Sequence, residues 1–177
     1  VTLIVEDGTK VAGANSYATV AQADERQELL GDEIWPDLDT SEKETFLIRA
    51  TLFMTMRYRL LWAGYRVSTT QALDWPRYQV TFVDGPGEYS PFDSFYPNNV
   101  VPTEIVNATI DVAVRISNGQ DLLPDLGPPV LEETVGPITT KYARDARQIT
   151  LFQTVDSLLS VFLKNAGSSY MIPLTRG

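Results

Sequence analysis

Apolar residues return at spacings of three and four in four separate stretches, and this period predicts helices near residues 20–30, 41–60, 102–118 and 150–165. The first opens at Thr19-Val20-Ala21-Gln22, a capping box in which the Thr19 hydroxyl and the Gln22 side chain satisfy each other's backbone donors, and it stops at Gly31. The second and longest is read as opened by Ser41 with Glu44 three residues on, and Phe46, Ala50, Phe53, Met54 and Arg57 recur along it. In the third, Pro102 suits the first turn and Glu104 lies near the positive end. Ile105, Thr109, Val112 and Ile116 make one face of it, and Val106, Ile110 and Ala113 or Val114 another. Two apolar faces predict burial on most sides, and Asn118-Gly119 is the natural stop. Phe152, Val155, Leu158, Leu159 and Phe162 line one side of the fourth.

Between these stretches the pattern changes. Val1–Val5 is rich in β-formers, Asp7-Gly8 is a turn signal, and Lys10–Ala12 is expected to pair back as a short hairpin. Residues 131–143, broken by Gly136-Pro137, read as a β-hairpin or as two strands with a kink. Ile34–Asp39 is a loop that Trp35 would pin, and Pro124 to Pro129 is a rigid connector. Residues 80–99 are irregular, with three prolines among five aromatics, so they read as an arm that packs on something. Phe92, Phe95 and Tyr96 are its candidate contacts with a neighbouring subunit. The fold expected is mainly α, an antiparallel bundle of three to four helices with a small β-hairpin element and an extended loop. It forms one domain over residues 1–165, with 166–177 as a C-terminal tail.

Composition removes much chemistry. The chain has 177 residues, enough for a sizeable core, and contains neither Cys nor His. Thiolate nucleophiles, zinc-thiolate sites and histidine-dependent triads are therefore out. Asp37-Leu38-Asp39 has calcium-loop spacing but lacks the glycine and the distant glutamate. Gly85-Pro86-Gly87 lacks the lysine of a phosphate loop, and its proline removes a donor amide. Catalytic residues, metal ligands and cofactors are accordingly expected to be none, and the protein is read as not an enzyme. No apolar run reaches the roughly 18–20 residues that cross a bilayer, and Val1–Asp7 does not resemble a secretory signal, so no membrane partner is expected.

Charge is the most uneven property. The chain carries 14 Lys and Arg against 23 Asp and Glu, a net −9. Between Thr45 and Phe82, however, five arginines face the single acid Asp74, so this segment is +4 and the remainder −13. Tyr58, Trp62, Tyr65, Trp75 and Tyr78 interleave with Arg57, Arg59, Arg66 and Arg77. Such a mixture suits a single-strand platform, with rings stacking on bases and arginines following phosphates. It equally suits a core of rings with arginines pairing against acidic faces of adjacent subunits, the contact between unlike patches that closes a ring. We take the second reading, with Arg57 and Arg59 as candidate subunit-interface residues, because an acidic chain is a poor polyanion binder. Trp75, held extended by Pro76, is read as a core pin, with a base-stacking role as the alternative.

Four stretches carry a resemblance. Val5-Glu6-Asp7-Gly8-Thr9 running into Gly13-Ala14-Asn15-Ser16-Tyr17, then Leu47-Ile48-Arg49-Ala50-Thr51, Gln71-Ala72-Leu73-Asp74-Trp75-Pro76-Arg77 and Gly119-Gln120-Asp121-Leu122-Leu123-Pro124 resemble a family of tailed bacteriophages and prophages. That family is labelled DnaT-like single-stranded-DNA-binding, and its genes lie among head and connector genes. The resemblance covers most of residues 5–165. It implies a virion head-to-tail adaptor, assembled in the host cytoplasm as a homo-oligomeric ring, most often a dodecamer, between a portal protein and a tail or nozzle protein. DNA would pass through its lumen during packaging and ejection without sequence-specific binding. The alternative it implies is a single-stranded-DNA-binding replication accessory. Tyr170, Met171, Ile172 and Leu174 are four apolar or aromatic anchors within the tail, and they are the candidates for docking on the portal.

Overall fold

The computed structural model describes residues 2–82, 95–122 and 152–164 in full, and the backbone of 132–135 and 138–141. Within these residues four α-helices dominate: α1 (Val20–Leu30), α2 (Thr40–Tyr58), α3 (Thr103–Ser117) and α4 (Gln153–Leu159). A 3-10 turn covers Trp35–Asp37, and another, Ser160–Phe162, extends α4. Two small antiparallel ladders complete the elements: β1 (Tyr65–Arg66) with β2 (Arg77–Tyr78), and β3 (Glu132–Val135) with β4 (Ile138–Lys141). The mainly helical fold with a hairpin matches the class expected from periodicity. Phe92, the C-terminal candidates Tyr170, Met171, Ile172 and Leu174, and the 124–129 connector lie outside the described residues.

Helix ends follow side-chain chemistry. Thr19 accepts from the Gln22 N–H while Gln22 accepts from the Thr19 N–H, and Gly31 closes α1 in the left-handed conformation. In α2 the capping pair is Asp39 with Glu42, not Ser41 with Glu44; Asp39 Oδ1 takes the Glu42 N–H at 2.8 Å. The correction has a plain cause, since Asp39 also begins a cap-x-x-Glu pattern and a carboxylate is well placed at a helix's positive end. The fourth helix is shorter than the 150–165 expected, running seven residues before it tightens into the 3-10 turn.

α3 packs on both α2 and α4, which explains its two apolar faces. It buries Ile105, Ala108, Thr109, Ile110, Val112, Ala113 and Ile116. The core stripe of α2 is Lys43, Leu47, Ala50, Thr51, Phe53, Met54 and Tyr58, so Phe46 is only partly buried and Arg57 lies beside the core. A chain of ring contacts then runs through the molecule. Phe152 meets Phe53 edge-on at 5.2 Å, Trp62 meets Trp75 at 5.8 Å, and Trp75 meets Phe162 at 5.3 Å. Edge-to-face packing of this kind adds about 0.5–1.5 kcal/mol per pair beyond burial.

The amino-terminal hairpin does not form. Val5 instead bridges Ser16 in parallel, and Glu6, buried at 1% exposure, binds the intervening loop. Its Oε1 accepts the N–H groups of Gly8 and Lys10, and its Oε2 that of Val11. A carboxylate accepting three backbone donors replaces the ladder that Lys10–Ala12 would have supplied. Asn15 fastens the other side, taking the Ile4 N–H at 2.8 Å and donating to the Thr2 carbonyl.

Candidate functional site

The arginine-aromatic segment spans the end of α2, the β1–β2 ladder and the Gln71–Arg77 corner between them. Gly64 (φ +62°) opens the ladder, and a Cβ there would overlap the Tyr78 carbonyl, so only glycine lets the strands approach. The corner is tied from several sides. Gln71 donates to the carbonyls of Leu73 and Pro76 across the cis Trp75–Pro76 peptide bond. Tyr17 Oη accepts the N–H groups of Asp74 at 2.9 Å and of Trp75 at 3.2 Å. Two motifs 57 residues apart are thereby one structural unit.

The rings divide into two sets. Tyr58, Trp62 and Trp75 are at most 1% exposed and belong to the core, as the core-pin reading of Trp75 holds. Tyr65 and Tyr78 face solvent as register partners on the ladder, their rings 5.5 Å apart. Beside them an open groove of about 540 Å³ is lined by Tyr78, Gln79, Phe82, Phe95, Tyr96 and Asn98, among others. Of the arm candidates, Phe95 is exposed and bridges Thr81, whereas Tyr96 turns inward to stack on Phe82 and touch Phe162.

Most of the cationic charge in the segment is engaged within the chain. Arg57 reaches Asp156 at 3.1 Å and the Tyr58 hydroxyl at 3.1 Å, while Tyr58 donates to Asp156 at 2.5 Å. Burial raises the Tyr58 pKa, and its hydrogen bond to Asp156 raises it further. Arg59 pairs with the buried Asp74 at 3.0 Å. Arg66 donates to the carbonyls of Gln71 and Leu73, and Arg77 to those of Ala63, Gly64 and Asp74. Burial lowers the Arg77 pKa, and the Asp74 charge works against that shift. Elsewhere Arg26 grips Asp111 and Lys43 pairs with Asp24, both at 3.0 Å. Among the described residues, only Arg49 of the five segment arginines is exposed without such a partner. For Arg57 and Arg59 the sequence suggests charges open to a neighbour; the structure places each on a carboxylate of its own chain.

A feature that sequence reading missed lies on the outer side of α2. Leu52 and Met56, opposite the core stripe, and Leu60 and Leu61, in the turn just beyond the helix, are 58, 63, 81 and 48% exposed. The signal was the same doubled periodicity that is legible in α3. A second exposed apolar cluster, Leu29, Leu30 and Ile34, lies where α1 ends. Among the described residues no group of three or more Asp or Glu is placed to hold a metal ion, and no helix is long and apolar enough to cross a membrane.

Among the described residues these features define a helical protein with exposed apolar and aromatic patches, most of whose arginines are paired within the chain. Residues 1–177 match the family described as "Putative DnaT-like ssDNA binding protein", and the chain belongs to that family. No curated protein and no solved structure matches it.

Proposed function

We propose that the chain is a non-enzymatic structural subunit that assembles with other proteins, and that its assembly is the head-to-tail connector of a tailed phage. The observation that carries this reading is the exposed apolar patch of α2 and the turn after it, set in a segment whose arginines are mostly occupied by internal partners. Exposed apolar surface of this kind is what protein contacts use, whereas a phosphate-tracking surface needs free cations. The connector itself rests on the resemblance described above, which supplies the portal and tail partners and the passage of DNA through a ring. Mass spectrometry of purified virions encoding the chain is the test. The chain is expected among the structural proteins at a copy number matching the portal, and its absence from virions overturns the connector.

A second reading, single-stranded-DNA binding in replication, is favoured by the family's own description and by the exposed rings of Tyr65, Tyr78 and Phe95 along the aromatic groove. Bases stacking there would contribute about 1–3 kcal/mol each. Fluorescence anisotropy with a labelled oligonucleotide at about 150 mM salt separates the two. The connector reading expects no sub-micromolar binding. Tight, salt-sensitive binding abolished by Tyr78→Ala would establish the second reading instead.

A further inference from the structure

We infer that the apolar patch of α2 and the turn that follows it docks onto the end of α1 in a second copy of this chain, a head-to-tail contact between two unlike faces. The inference rests on the assembling-subunit reading and names the surfaces it uses. The donor face presents Leu52, Met56, Leu60 and Leu61 as protruding side chains. Its flanking charges are basic: Arg49 is exposed with no partner among the described residues, Arg59 is half exposed, and Lys164 is exposed beside Leu60, whose carbonyl it binds. The acceptor face presents Leu29, Leu30 and Ile34. Its flanking charges are acidic, with Glu25, Glu28 and Glu33 exposed and without side-chain partners among the described residues.

A groove adjoins the second face. Leu30 borders an open groove of about 370 Å³ between α1, α3 and the start of α4, with Gln27 and Val114 also on its walls. The two arginines of that groove are already engaged, Arg26 with Asp111 and Arg115 with Gln120 and the Phe152 ring. One face thus offers exposed apolar side chains with a basic rim, and the other exposed apolar side chains beside a groove, with an acidic rim. Neither face matches its own charge, because an α2–α2 contact would bring two basic rims together and an α1–α1 contact two acidic ones. Contact between unlike faces propagates from copy to copy and closes as a ring when the rotation permits. Charge matching at the rim selects this pairing over the self-pairings.

The chain contains no cysteine, so engineered thiols report the contact without background. Leu60→Cys and Leu29→Cys both alter side chains that are 81% exposed, which leaves the core untouched. With a short bis-maleimide, the double variant should give a ladder of oligomers and an equal mixture of the two single variants only a dimer. Each single variant alone should give none. Dimers from Leu60→Cys alone, or no product from the mixture, overturn the inference. Arg49→Glu should lower the cross-link yield several-fold, and Glu25→Arg with Glu28→Arg on the opposing copy should restore it; an unchanged yield overturns the charge match. Sedimentation velocity of the unaltered chain separates the two levels. Oligomers without these cross-links refute the paired faces alone, and a monomer at every concentration refutes the assembling subunit as well.

Discussion

Tyr17 shows how much one side chain can organise. Its ring is buried and its hydroxyl accepts two backbone N–H groups from the Asp74–Trp75 turn, so Tyr17→Phe leaves both donors in the interior without their acceptor. A loss of about 2–4 kcal/mol is expected, read as a lower urea midpoint by circular dichroism. Tyr17 and the Asp74–Trp75 turn both lie in stretches that stand out in the sequence, but nothing local to either indicates that they meet across the fold. The same hydroxyl has a consequence in alkali. Burial raises the Tyr17 and Tyr58 pKa values above the ordinary tyrosine value near 10, so above that pH the unfolded chain releases protons that the folded chain retains. Stability should therefore hold below about pH 10 and fall as pH rises further. Denaturation series from pH 8 to 11 should show a shallower alkaline slope in Tyr58→Phe than in the unaltered chain.

At the scale of elements, periodicity and caps served the helices well, since both report on interactions within a few residues. α1 falls where its capping box and Gly31 set it. For α2 two overlapping cap signals competed, and the carboxylate pair Asp39 and Glu42 took precedence over Ser41 and Glu44. Asp39→Ala should cost about 1 kcal/mol and Ser41→Ala only a few tenths, a difference measurable by chemical denaturation. The amino-terminal hairpin was illegible for the opposite reason. A strand pair and a loop wrapped on a buried carboxylate share the same turn residues, and only the burial of Glu6 distinguishes them. The arginines follow the same logic. Their number and sign are plain in the sequence, but Asp156 is 99 residues from Arg57 and only the fold brings them together.

Across the whole molecule, distant segments interlock through close backbone approaches. Gly8 (φ +103°) lies against the Asn99 carbonyl and Val100, so the amino-terminal loop and the lead-in to α3 fit as one block. Gly8→Ala forces both a disfavoured conformation and an overlap with backbone. It should cost about 2 kcal/mol or more, lowering the thermal midpoint by roughly 4–8 °C. The candidate surface was less legible than the core, because a helix with two apolar stripes looks merely hydrophobic until the packing shows which stripe is covered. The three buried tryptophans turn that packing into an optical instrument. Trp35, Trp62 and Trp75 are each no more than 1% exposed, and two of them touch edge-to-face. Their emission should be blue-shifted and shielded from iodide, and contacts made only at the outer surface should leave it unchanged. A red shift on mixing with any partner would then signal a rearranged interior, so the spectrum of the native chain distinguishes rigid docking from refolding without an added label.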